Sequence, residues 1–104
     1  MNEQATLPLD YSGARTVDLG ERELARVLDA RANGAKLRKR DLILLVLAEA
    51  DGAWVNGVSF LGGHNSEGVF VSSYSQRIGE LIQDGVPIQR KIGKNGMAEY
   101  RLVR

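Results

Sequence analysis

The 104 residues contain no cysteine, which excludes a disulfide framework and any thiolate metal site. Histidine occurs once, at His64, so no second imidazole is present to complete a metal site. No carboxylates cluster at metal-ligand spacing either. No serine lies in a nucleophile-elbow pattern that His64 could serve. Gly62, Gly63 and Gly68 are not followed by Gly-Lys-Ser/Thr, so they do not form a phosphate loop. Catalysis, a cofactor and a metal are therefore not expected. The longest apolar run, Leu42 to Ala48, is far too short to span a bilayer. No N-terminal segment has signal-peptide form, and a cytoplasmic protein without a membrane partner is expected.

What is present suits one folded domain. The hydrophobic share is 43% and the charged share 26%, both ordinary for a globular chain. The net charge of +1 conceals an asymmetry. Residues 1–35 hold four basic and six acidic side chains, and residues 36–84 hold five and six. Residues 85–104 hold five basic and one acidic, a local +4. That is a modest basic footprint. A monomer would bind a polyanion weakly, so a homodimer or a partner protein is expected.

The most informative stretch runs from Ser72 to Val103. Tyr74, Ile78, Leu81 and Ile82 recur at i, i+4, i+7 and i+8, one apolar stripe of a helix. Ser72 or Ser73 suits the N-cap. Gly85 suits the left-handed position past the end, and Pro87 blocks continuation. The face opposite Ile78 carries Ser73, Gln76, Glu80 and Gln83, flanked by Ser72 and Gly79. Phosphate would repel Glu80 and Asp84, which leaves the N-terminal half as the part fit to read bases. A hairpin follows, with Lys94-Asn95-Gly96 as a three-residue loop and Gly96 at positive φ. This register sets Ile88 opposite Leu102, Arg90 opposite Tyr100 and Ile92 opposite Ala98. The other face pairs Gln89 with Arg101 and Lys91 with Glu99. A slip of one residue would mix the faces.

The earlier chain is plainer. Met1 to Arg15 has no period and is expected as a frayed arm, or as an arm that touches DNA through Arg15. Asp18 with Glu21 resembles a capping box opening a first helix, whose narrow stripe is Leu24, Val27 and Leu28. That helix either packs on the body or pairs with its copy. Lys36, Arg38, Lys39 and Arg40 are either a solvated helix start or a phosphate clamp. The helix from about Leu37 to Ala50 should be buried on several sides. Ala53-Trp54-Val55 predicts a short strand, with Trp54 packed on the core or hairpin, or serving as a stacking platform. Asn56 to Leu61 predicts a short helix with Val58, Phe60 and Leu61 inward. Gly62 to Val71 is either an enlarged turn or contains a brief strand. It is a passive insertion, or it reaches a phosphate through His64, Asn65 or Ser66.

Trp54-Val55, Gly57-Val58, Arg77-Ile78-Gly79-Glu80-Leu81, Gly85, Pro87-Ile88 and Tyr100-Arg101-Leu102 together resemble small winged-helix DNA-binding proteins of bacteria and phages. They are similar also to the N-terminal domain of the biotin repressor. The likeness covers about Lys39 to Val103, and the long Gly62–Gly68 loop departs from the family's tight turn. It implies an α+β fold: a winged helix with a three-helix helix-turn-helix core, a C-terminal β-hairpin wing and an extra N-terminal helix. The divisions are then a flexible arm at 1–17, the N-terminal helix at 18–35 and the winged helix-turn-helix domain at 36–104.

The resemblance implies that residues 73–84 enter the major groove of double-stranded DNA and that the 88–102 wing lies on the backbone. The residues expected at DNA are Ser72, Ser73, Ser75, Gln76, Arg77, Gln83, Lys91, Lys94 and Asn95. Gln76 can bond adenine through both ends of its amide. Arg77 either bonds within the protein or contacts phosphate or guanine. Possible phosphate contacts are Lys36, Arg38, Lys39, His64 and Asn65. The expected role is a transcriptional or phage-type regulator. The alternative is a winged-helix module for protein–protein interaction or assembly, without specific DNA binding.

Overall fold

A computed structural model describes residues 14–63, 65 and 67–104, with the backbone alone for 14–17. The expectations for residues 1–13, for the Arg15 side chain, and for His64 and Ser66 lie outside the described residues. The elements run α1 (Ala14–Ala32), α2 (Lys39–Glu49), β1 (Val55–Asn56), α3 (Val58–Leu61), α4 (Tyr74–Gln83), β2 (Ile88–Ile92) and β3 (Ala98–Leu102). The strands form one antiparallel sheet in the order β1-β3-β2. The fold is α+β. Among the described residues no helix is long and apolar enough to cross a membrane.

The apolar block of α2 makes it the centre. Ile43 to Leu47 are all buried, and the helix packs against α1, α4 and β3. A helix apolar around its whole circumference has to be covered on several sides. Its first turn is tied by Asp41, which is 3% exposed. The Asp41 carboxylate accepts the Arg38 backbone N–H at 3.1 Å. It also accepts Arg38 Nε at 3.2 Å and Arg26 Nη2 of α1 at 3.1 Å. Burial alone would raise the Asp41 pKa, but the Arg38 bonds and the Arg26 charge outweigh it and hold the pKa below the ordinary aspartate value.

Folding stability therefore includes a share that is complete above the unfolded aspartate pKa and lost as pH falls through the depressed folded value. Asp41→Asn should remove that acid-dependent share and cost about 1–3 kcal/mol at neutral pH. Urea denaturation of both proteins at neutral and acid pH checks this: the gap between them should narrow in acid.

Helix α1 starts four residues before Asp18. The expected capping box at Asp18 and Glu21 does not form there; Asp18 is inside the helix and pairs with Arg22 at 3.0 Å. Leu24 and Val27 are buried, whereas Leu28 is 47% exposed and leaves the expected stripe. Gly20 completes the inward face. A Cβ there would lie 2.6 Å from Pro87 Cδ, so α1 rests directly on the corner between α4 and β2. The end of α1 is held by Arg31, 3.1 Å from Glu67 in the long loop.

Helix α3 is a single turn and buries Phe60 alone. Val58 and Leu61, expected inward, are 47% and 39% exposed. Phe60 stacks on Tyr74 with ring centroids 5.8 Å apart, and Tyr74 meets Tyr100 edge-on at 6.3 Å. This aromatic chain joins α3, α4 and β3. Gly57 lies beneath it, because a Cβ there would fall 2.5 Å from the Tyr74 ring.

The 62–71 segment is an enlarged turn, with no strand among its described residues. Val71 N–H bonds the Phe60 carbonyl at 2.8 Å, and Val69 and Val71 are buried. Asn65 holds the loop: its Nδ2 donates to the Ser59 and Val69 carbonyls, and its Oδ1 accepts the Glu67 and Val69 N–H groups.

Helix α4 ends as its sequence predicts. Gly85 takes φ +97°, its N–H bonds the Ile82 carbonyl, and Val86 N–H reaches Leu81. Strand β2 follows at once. The hairpin has the expected register, from Ile88↔Leu102 to Ile92↔Ala98. Gly96 N–H bonds the Gly93 carbonyl at the turn, and Gly96 takes φ +80°. Strand β1 joins the far side of β3 through Val55↔Tyr100. Arg104 fastens the segment after β3 to Glu21 of α1 at 2.9 Å and to the Ala48 carbonyl of α2 at 3.3 Å.

Candidate nucleic-acid interface

Ile78 and Leu81 fix the orientation of α4 by being buried. The 100° period then turns Ser72, Ser73, Gln76, Gly79 and Gln83 outward, and all five are exposed; Ser75, beside the apolar stripe, is exposed as well. Ser73 occupies the N-cap position, yet its side chain makes no capping bond, contrary to expectation. Its φ of −95° and ψ of 30° lie outside the extended conformation that directs a cap hydroxyl at the helix. Glu80, on the same face, is half-buried; the other residues of the face lie open.

Gly79 stands out on that face. A Cβ at this position would have nothing within 4 Å. Internal packing thus does not require glycine, although glycine inside a helix costs about 1 kcal/mol relative to alanine. Ser75 and Gly79 are one turn apart, so they leave a shallow surface open to close approach.

Beside the start of α4 lies a groove of about 450 Å³, lined by Arg38, Lys39, Arg40, Ser73, Arg77 and Glu80. Here the basic run before α2 meets α4. Arg77 lies 3.0 Å from Glu80, three residues on. Arg38 is held on Asp41. Lys39 Nζ donates to the Phe70 carbonyl at 3.4 Å. Arg40, whose side chain is 14% exposed, pairs with Asp84 and lies 4.0 Å from Glu80. The two carboxylates of α4 are therefore turned toward arginines.

The hairpin divides its cations between two faces. Lys91 and Arg101 sit on the face away from the core, with Lys91 Nζ 4.5 Å and Arg101 Cζ 4.7 Å from the Trp54 ring centroid. Trp54 is packed on the hairpin between two cations. Lys91 is also 3.7 Å from Glu99, and Arg101 donates to Gln89 at 2.6 Å. Asn95 uses Oδ1 to accept the Met97 N–H at 3.1 Å, which shapes the turn. Lys94 at the tip is exposed and makes no ion pair among the described residues.

Arg90 was not among the expected contacts. It shares the core-side face with Ile88 and Tyr100 by alternation, yet it is exposed and makes no ion pair among the described residues. Strand β2 runs past the edge of the core, which also leaves Ile92 60% exposed. An arginine at an inward-phased position was the available signal. Lys36 is likewise exposed and without an ion pair among the described residues, whereas Asn65, an expected phosphate contact, commits its side-chain amide to its own loop and to the Ser59 carbonyl of α3.

Among the described residues no three His, Asp or Glu side chains gather into a group able to hold a metal. No protein-family model matches this chain, and neither a curated protein nor a solved structure matches it significantly.

Proposed function

We propose that this chain is a winged helix that binds double-stranded DNA and serves as a transcriptional or phage-type regulator. Helix α4 enters the major groove through Ser72, Ser73, Ser75 and Gln76. The β2–β3 hairpin lies on the sugar–phosphate backbone through Arg90 and Lys94. The element order α2-β1-α3-α4-β2-β3, with β3 between its neighbours, supports the winged-helix reading. The observation that carries the functional reading is the polar face of α4, which apart from Glu80 is exposed and is interrupted by a glycine that packing does not need.

Duplex binding tested across a salt series should be weak and electrostatic. If Lys36, Lys39, Arg90 and Lys94 each neutralise one phosphate, log K against log salt falls with a slope of about −3.6. In the same assay Gly79→Ala should bind more weakly while raising unfolding stability by about 1 kcal/mol. No detectable binding even at low salt removes the proposal.

A second reading, protein–protein assembly, is favoured by the exposed Val58 and Leu61 on one side of α3, together with Phe70 at 61% exposure. Sedimentation without DNA distinguishes the two. Self-association that survives in a chain unable to bind duplex selects assembly.

A further inference from the structure

We propose that the groove between the starts of α2 and α4 is a phosphate-binding site, and that the Glu80 carboxylate is its resident counter-ion, which an incoming phosphate displaces. This rests on the duplex-binding reading of α4 and names a determinant of its affinity.

Four cationic side chains, Arg38, Lys39, Arg40 and Arg77, line the groove with Ser73, and Glu80 is the one acid in the lining. Asp41 pairs with Arg38 and Asp84 with Arg40, which leaves Glu80 to answer Arg77 and Lys39. Glu80 lies 3.0 Å from Arg77 Nη1 but only 4.0 Å from Arg40 Nη1. Arg40 is largely buried and bonds Asp84, yet its Nε is buried with no acceptor among the described residues. A charged guanidinium in such surroundings is under-satisfied. Lys39 Nζ finds only a backbone carbonyl, and the Ser73 hydroxyl has no capping bond.

A phosphodiester matches what the groove leaves unanswered. Its oxygens can accept from Arg77, Lys39 and Ser73 together, and charge-assisted bonds from arginine to phosphate are strong. The Arg77–Glu80 pair it must break is one helical turn long, with each side chain 32% exposed, and such pairs are weak. Displacement therefore favours the phosphate, but the freed Glu80 stays nearby and repels it. Glu80 thus lowers affinity for every sequence alike, since it acts on backbone and not on bases.

The test is Glu80→Gln, which removes the charge and keeps the shape and the donors. Two probes are used: random-sequence duplex by fluorescence anisotropy across a salt series, and inorganic pyrophosphate by amide NMR shifts at Lys39, Ser73 and Arg77. Tighter duplex binding, about fivefold or more near 0.1 M salt, with a log–log salt slope steeper by about one, is expected. Tighter pyrophosphate binding at the same amides should accompany it. Circular dichroism checks that the helices are intact.

If the wild type binds duplex but the variant binds neither probe more tightly, the counter-ion role is wrong while the DNA reading stands. Weaker binding by the variant also overturns it, since Glu80 would then be positioning Arg77. If pyrophosphate binds and tightens in the variant but duplex never binds, the groove is an anion site and the DNA reading falls. Silence toward pyrophosphate in both proteins removes the site.

Discussion

Changing Arg90 and Lys94 together to glutamate should lower duplex affinity about 100-fold near 0.1 M salt and flatten the salt slope by about two. Each reversal removes one released counterion and adds a repulsive charge at the hairpin. The choice of residues follows from what each cation already does. Arg90 and Lys94 are exposed and lack ion pairs among the described residues. Lys91 lies near Glu99 and over Trp54. Lys91→Glu should therefore affect binding less and folding more, because it would set two carboxylates side by side across the strands and remove a cation from the indole. Anisotropy in a salt series, paired with urea denaturation, separates the two effects. Equal loss of affinity from the Lys91 change and the double change would mean that the hairpin binds through its outer face.

Phe60→Ala should cost about 3–5 kcal/mol of folding stability. Phe60 is completely buried and is the one core side chain that α3 supplies. A domain of this size is typically stable by only about 5–15 kcal/mol, so the variant should sit near the edge of unfolding at physiological temperature. The damage should also reach α4. Tyr74, its first residue, would lose its stacking partner while still facing Tyr100. Phe60→Leu, closer in volume, should keep most of the stability. Urea midpoints for the two variants check this, with an unchanged m-value indicating that stability alone has moved. A cost under about 1 kcal/mol for the alanine would mean that α3 contributes little to the core.

These two cases mark what local rules in the chain reveal and what they miss. The hairpin register was legible because alternation, charge pairing and a glycine turn all act within fifteen residues of one another. The stop at Gly85 was legible for the same reason, and the burial of α2 followed from an unbroken apolar run. The start of α1 was not, because an Asp followed by Glu three residues on can as well lie within a helix as open one. Val58 and Leu61 misled because one helical turn has too few residues for its period to choose an inward side.

The candidate interface was legible along α4, whose polar face follows from helical geometry. It was less so among the cations. Arg40 meets Asp84 across 44 positions, and Arg26 meets Asp41 across 15; no pattern of neighbours reports such pairs. Arg90 was hidden by its phase, since only the edge of the core decides that an inward-phased position emerges into water.

Strand β3 lies between its two neighbours, so the sheet cannot close without it. A chain lengthening from its amino end can wind its helices early, but strands β1 and β2 form their ladders only once residues 98–102 appear. Nascent or truncated forms lacking those residues would expose two strands without a ladder between them, a state open to mispairing with other chains. Cleavage anywhere in the 93–97 turn would make the sheet depend on two separate pieces finding each other.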